Sequence, residues 1–190
     1  MALKRIAEPT ELVVDFDLVK AQLRVTTDNE DDLIAHYIGV ATTMFEDKAE
    51  ISLAEQQWRL TLDDWSEIIR LPRSPVQSID NFEYLVDGIW TPFTDYVSDL
   101  ERVPGLILVT DQPSLDDDVT PRIRIEYTSG LTLSYGSGSG PAFPYDIKQA
   151  IMFGACHLFE HRGDEAAELP EAFFCIAERY KSGWSDWRLW

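Results

Sequence analysis

Positive charge is what this chain has least of. Lys and Arg number 16 against 34 Asp and Glu, a formal net charge of −18. Sequence-independent binding of nucleic acid needs a basic face to neutralise phosphates, so the balance argues against that class. DNA passing beside an acidic wall that does not hold it is not excluded. Cysteine is scarce as well. Cys156 and Cys175 are the only two, too few for a disulfide framework. Both stand in apolar helical stretches and read as small buried hydrophobes. No apolar run approaches the length of a membrane span. Lys4 and Arg5 are not followed by the apolar stretch of a secretory signal, so the expectation is a protein made in the cytoplasm with no membrane partner. The glycines of Gly136-Ser-Gly-Ser-Gly140 lack the Lys-[Ser/Thr] of a phosphate loop and the G-x-G-x-x-G spacing. No G-x-S-x-G frame marks a hydrolase elbow either. The Gly/Ser run reads as a flexible loop.

What is present is enough apolar material for a core: 45% of 190 residues. The strongest helix signal runs from Pro141 to Gly163. Pro144 suits a first turn, Asp146 complements the positive end of the dipole, and Gly163 serves as a stop. Ile147, Ile151, Ala155 and Leu158 recur at helical spacing, and Ala150, Met152, Phe153 and Phe159 carry the apolar surface well round the axis. That pattern predicts a buried central helix. Two helices precede it. One starts at Asp15 or Asp17 and carries Leu18, Val19 and Leu23. The next is capped by Thr27 or Asp28, with Glu30, Asp31 and Asp32 in its first turn and Leu33, Ile34, Tyr37, Ile38, Ala41 and Phe45 as its apolar stripe. The acidic cluster lacks the glycine of a calcium loop, and first-turn acids against the dipole explain it. A last helix opens at Pro170, runs through Phe173, Phe174, Ile176, Ala177 and Tyr180, and ends at Ser182-Gly183.

Between these helices the period changes from helical to two. Trp58, Leu60 and Leu62 alternate with polar neighbours. Ile68 to Leu71 is a short apolar run. Phe82, Tyr84 and Val86 lead into Asp87-Gly88, a tight-hairpin signal, after which Ile89-Trp90 resume. Leu106 to Val109 and Ile123, Ile125 and Tyr127 supply two more strands. Asp116-Asp-Asp118 reads as a solvated loop, and Met1 to Glu11 as a leader without period. The expected architecture is therefore α+β. A helical bundle, with two N-terminal and two C-terminal helices, forms a body over 12–54 and 141–182. A small antiparallel sheet over 56–130 is inserted in it, and a tail over 183–190 follows, all in one domain of residues 1–190.

Two features carry chemistry. His157-Leu-Phe-Glu160-His161 fits H-x-x-E-H, in which two His one turn apart hold Zn²⁺ and Glu serves as general base. A small zinc peptidase would need a third ligand. His36 is the only other His, and Glu165, Glu168 and Glu171 are merely nearby in an acidic region. The ordinary reading is a helix end whose His and Arg side chains meet the negative dipole, with no cofactor. The tail, Gly183-Trp-Ser-Asp-Trp-Arg-Leu-Trp190, holds three of the six Trp. Such a segment cannot easily form its own core, and Trp and Arg dominate binding hot spots. Trp184, Trp187, Arg188, Leu189 and Trp190 are the candidate partner-binding residues. The alternative is a tail folded back onto its own domain.

The order of these segments resembles the head–tail connector (adaptor) proteins of tailed bacteriophages and of phage-derived gene transfer agents. Leu18-Val-Lys-Ala-Gln-Leu-Arg24 with Asp31-Asp-Leu-Ile34 is similar to the family's paired opening helices. Ile69-Arg-Leu-Pro72 with Pro75-Val-Gln-Ser-Ile79 is similar to its strand and turn. Ile123-Arg-Ile-Glu-Tyr-Thr-Ser-Gly130 is similar to the strand before its loop. Pro144 and Ile147-Lys-Gln-Ala-Ile151, leading to His157-Leu-Phe-Glu-His-Arg162, are similar to its central helix. The resemblance implies a structural protein and not an enzyme: a ring, dodecameric in most such adaptors, at the neck of a virion. It implies a portal protein as one partner, reached by the C-terminal segment. A neck, stopper or tail-terminator protein would be the other, with double-stranded DNA passing the lumen unread. It also implies that the H-x-x-E-H helix is used for packing.

Overall fold

The computed structural model describes residues 1–116, 119–131, 144–162 and 168–181. They form eight strands and four helices, and the chain divides into two compact units. One is built from Met1–Pro9 and Glu55–Leu131, the other from Thr10–Ala54 and the described residues beyond Leu131.

The first unit is all β. Its strands are β1 (Ala2–Ala7), β2 (Gln56–Leu62), β3 (Ile68–Leu71), β4 (Val76–Val86), β5 (Ile89–Pro92), β6 (Tyr96–Asp99), β7 (Gly105–Val109) and β8 (Ile123–Ser129). They make two antiparallel sheets rather than the single one expected, in the orders β1-β2-β8-β4-β5 and β3-β7-β6. Alternating side chains from both sheets meet in one core: Trp58, Leu60, Ile69, Leu71, Phe82, Ile107, Ile123, Ile125 and Tyr127 among others. An aromatic cluster fills one part of it, with Phe93 4.8 Å from Trp65 and 4.9 Å from Phe82 between ring centroids. The polar ends of these rings are satisfied, as burial requires. Trp65 Nε1 donates to the Pro113 carbonyl at 2.8 Å and Tyr127 Oη to that of Pro72 at 2.8 Å. Burial raises the Tyr127 phenol pKa.

Two strands were not legible in the sequence. Met1 to Glu11, expected to be a leader, contains β1, an edge strand paired to β2. Its half-buried positions are Leu3, Arg5 and Ala7, and the Arg5 guanidinium lies over the Trp58 ring at 5.9 Å. A cation whose stem covers an aromatic ring stands where the apolar alternation should be. β6 is short and has three exposed positions of four, so it too lacks a period. The Asp87-Gly88 hairpin forms as expected, with φ of 53° and 73° at its two central residues. Both backbone amides of that turn donate to the Asp116 carboxylate at 2.8 Å. Asp116, read as part of a solvated loop, is thus an anchor for the turn; Asp117 and Asp118 lie outside the described residues. Gly88→Ala places a Cβ in the left-handed region and lowers stability by about 1 kcal/mol, measured as a shift in the urea midpoint. An unchanged midpoint would mean the turn is not under this constraint.

The second unit is all α: α1 (Phe16–Leu23), α2 (Asp31–Ala49), α3 (Tyr145–Glu160) and α4 (Glu171–Arg179). Asp15 caps α1, accepting from the Asp17 and Leu18 amides at 2.9 and 3.3 Å. The N-cap position of α2 is Glu30 rather than Thr27 or Asp28, and it makes no side-chain capping bond; the Asp28 carboxylate instead binds Lys20 of α1 at 2.9 Å. Asp31 binds the same ammonium at 2.7 Å, and Glu30 binds Arg162 at 2.6 Å. The acidic first turn of α2 therefore ties two other segments as well as meeting its own dipole. The core of this unit is the stripe Ile34, Ile38, Ala41, Phe45 and Ala49 of α2, packed against Ile147, Ala150, Ile151 and Ala155 of α3 and Phe173 and Ala177 of α4. Phe45 and Phe173 meet edge to face at 5.7 Å.

The helix expected to be buried on most sides is buried on one broad face. Phe153 remains 48% exposed, and Pro144 is the residue before the first turn, not within it. Gly163, its expected stop, lies outside the described residues. The last helix ends at Arg179, with Tyr180 as its cap, before Ser182. Cys156 is buried and its thiol is pushed up to about 11, chiefly by burial. Cys175 is exposed, contrary to the expectation of a buried hydrophobe, because it faces away from the Phe173–Ala177 stripe. No helix of the described residues is long and apolar enough to cross a membrane.

Candidate functional site

The tail residues Trp184, Trp187, Arg188, Leu189 and Trp190, and the Gly/Ser loop 136–140, lie outside the described residues. What the fold does position is the chain immediately before the tail. Four consecutive residues at the end of α4 are each fastened to a neighbouring helix. Glu178 Oε1 meets Lys48 Nζ at 2.7 Å and Lys181 Nζ meets Glu50 Oε1 at 3.1 Å, both at the C-terminal end of α2. Arg179 Nη2 and Tyr180 Oη donate to the two oxygens of Asp146, in the first turn of α3, at 2.5 and 2.8 Å. The Tyr180 ring also lies 6.5 Å from that of Phe45. Burial, with the Asp146 hydrogen bond second, pushes the Tyr180 phenol up to about 12. The ammonium of Lys48 lowers the pKa of Glu178. Each exposed pair is weak alone, but four in succession hold the end of α4 against α2 and the start of α3. Asp146, read from sequence as a dipole partner, has this second role because α4 ends beside it.

The H-x-x-E-H residues sit on the last turns of α3. The rings of His157 and His161 are stacked at 4.1 Å, 25° from parallel. His161 Nδ1 is 2.9 Å from the His157 carbonyl oxygen, the contact expected of an imidazole at a helix C-terminus. His157 Nε2 is buried without a hydrogen-bond partner among the described residues. Arg162 lies over the Phe159 ring at 4.9 Å and pairs with Glu30. His36 is beside Tyr37 on α2. A zinc site needs at least three protein ligands. Among the described residues no three His, Cys, Asp or Glu side chains are placed to hold a metal ion. Within the described residues the two His form a pair of stacked rings at a helix end; Glu165, one of the candidate third ligands, lies outside them.

A surface that the sequence reading missed lies on the three-stranded sheet. Its inward side chains, Ile69, Leu71, Ile107 and Val109, are in the core. Its outward face carries Ile68, Leu108 and Val97, which are 45%, 48% and 60% exposed and stand in register across β3, β7 and β6. The signal was present in Ile68-Ile69 and Leu106-Ile-Leu108. Strands that are apolar at consecutive positions are apolar on both faces.

The comparisons with known proteins bear on the whole chain. Residues 14–83 match the model of a family described as phage gp6-like head-tail connector protein. That segment runs from just before α1 into β4. Three solved structures resemble the chain along 97% of its length and 97% of theirs. One is of the neck of an empty gene transfer agent particle computed with C6 symmetry (TM-score 0.76, 23% identity). One is of the virion of a native gene transfer agent particle (0.76, 22%). The third is of the neck of a native particle computed with C12 symmetry (0.69, 24%). Comparison with curated proteins finds no match. Along nearly its whole length the chain thus has the fold of chains in gene transfer agent particles, and over residues 14–83 it carries the sequence pattern of the phage gp6-like head-tail connector family.

Proposed function

We propose that this chain is a structural protein of the virion neck, a head–tail connector that forms a ring on the portal and joins it to the next neck, stopper or tail-terminator protein. The observation that carries the reading is the agreement of two independent likenesses. The sequence of 14–83 matches the connector family, and the fold matches neck and virion chains from end to end. A dodecameric ring is the closed assembly that fits a C12 neck. The Trp-rich tail is the portal-docking segment, and it follows directly on the fastened end of α4. A chain of net charge −18 repels phosphate, so DNA passes the lumen without being held.

The test is to mix the protein with the portal protein encoded beside it and image the product by electron microscopy. The expected result is a second ring stacked on the portal. Removing residues 183–190 leaves the helical signal in circular dichroism unchanged and abolishes stacking. Portal rings that stay bare with the full chain would overturn the connector reading. Loss of folding on truncation would overturn the tail as anchor.

A further inference from the structure

The outward face of the β3-β7-β6 sheet is more than an apolar patch. Antiparallel pairing sets its residues in rows. One row is Ile68–Leu108–Val97. The next is Arg70–Leu106–Asp99. Arg70 and Asp99 are exposed, and neither has an ion-pair partner among the described residues. They stand on the two edge strands, with β7 between them, two strand spacings apart and so roughly 9.5 Å across the sheet. That separation is too long for a direct pair within one chain.

Both edge strands are antiparallel to β7, so they run parallel to each other. Ile68 and Val97 are level, and so are Arg70 and Asp99. Carrying a second copy sideways along the row brings its β6 beside β3 of the first. Val97 of the second copy then meets Ile68, and Asp99 of the second copy meets Arg70. Apolar meets apolar and cation meets anion at one translation. Because the two edges differ, the contact is head-to-tail, and it closes into a ring when each step also carries a small rotation. An open edge also offers unpaired backbone groups to a neighbouring strand.

From this complementarity we infer that the β3 and β6 edges of the three-stranded sheet are the two halves of the interface between copies of this chain, with Arg70 of one copy paired to Asp99 of the next. The inference rests on the ring reading above and names its contact.

Charge reversal tests it without the portal. Sedimentation velocity over a concentration series reads self-association of the native chain, of Arg70→Glu, of Asp99→Lys and of an equal mixture of the two variants. All are checked for native circular dichroism. The native chain is expected to grow beyond dimers. Each single variant sets like charges against each other at every contact, weakening association at least about tenfold. The mixture restores it when copies of the two variants alternate. At every second contact the carboxylate introduced by Arg70→Glu faces the ammonium introduced by Asp99→Lys. At the contacts between, the unaltered Arg70 faces the unaltered Asp99. No rearrangement within one chain produces that rescue. A native chain that stays monomeric or stops at dimers overturns the inference, as do single variants that associate like the native chain. Portal stacking by the native chain is scored separately. Failure here with stacking intact removes this interface and leaves the connector reading standing; bare portals remove the reading itself.

Discussion

Phe45→Ala is expected to lower the stability of the helical unit by about 4 kcal/mol. Phe45 is fully buried on α2. Its ring meets Phe173 of α4 edge to face at 5.7 Å and Tyr180 at 6.5 Å. Truncation removes the transfer energy of the ring and leaves a cavity beside Phe173 and Tyr180. Ring pairs of this kind add up to about 1.5 kcal/mol beyond the area they bury. For a unit of this size the thermal midpoint at 222 nm should fall by roughly 15–25 °C. Leu18→Ala is the control: Leu18 is 57% exposed on α1, and the change should stay within about 0.5 kcal/mol. A loss below about 1 kcal/mol for Phe45→Ala would mean that the Phe45 ring is not closely packed. The effect also reaches the end of α4, because Phe173 and Tyr180 both lean on this ring.

Gly154→Leu is the second large effect, expected at about 3 kcal/mol. Gly154 of α3 faces both Ala41 of α2 and Phe173 of α4. A Cβ there would stand 3.0 Å from Phe173 Cε2 and 3.2 Å from Ala41 Cβ. Glycine in a helix interior normally costs about 1 kcal/mol against alanine. Here the close approach outweighs propensity, since the nearest atoms belong to a ring that Phe45 holds in place. Gly154→Ala is small for the same reason: its propensity gain and its contact strain offset. Phe173→Ala and Gly154→Leu together should cost less than the sum of the two single losses, because the new side chain then occupies the vacated space. Denaturant midpoints for the two single variants and the double variant measure the coupling. Strictly additive losses would show that the glycine and the ring do not compete.

How much of this was legible in the sequence depends on how local the cause is. The stripe Ile34, Ile38, Ala41, Phe45 and the alternation of Ile123, Ile125 and Tyr127 are periodic because each element buries one face. The period survives in the chain whatever the partner. The Asp87-Gly88 turn was legible because two positive φ values select those residues. β1 was not, since an edge strand needs only half a pattern and one of its inward positions is Arg5. The start of α2 was not legible, since Thr27 and Asp28 are both competent caps by residue type, whereas the helix opens behind Glu30 without any side-chain capping bond.

The candidate sites divide in the same way. The sequence by itself determined that the chain is acidic, folded, α+β and bounded by a Trp-rich end. It also determined its likeness to connector proteins, because composition and the order of periodic segments are properties of the chain. The tertiary structure alone decided that Asp146 receives both Arg179 and Tyr180, and that Arg70 and Asp99 stand level on opposite edges of one sheet. Each of these depends on residues brought together from distant positions of the sequence. Pairing register and helix crossing set that proximity, and neither is written in any local run of residues.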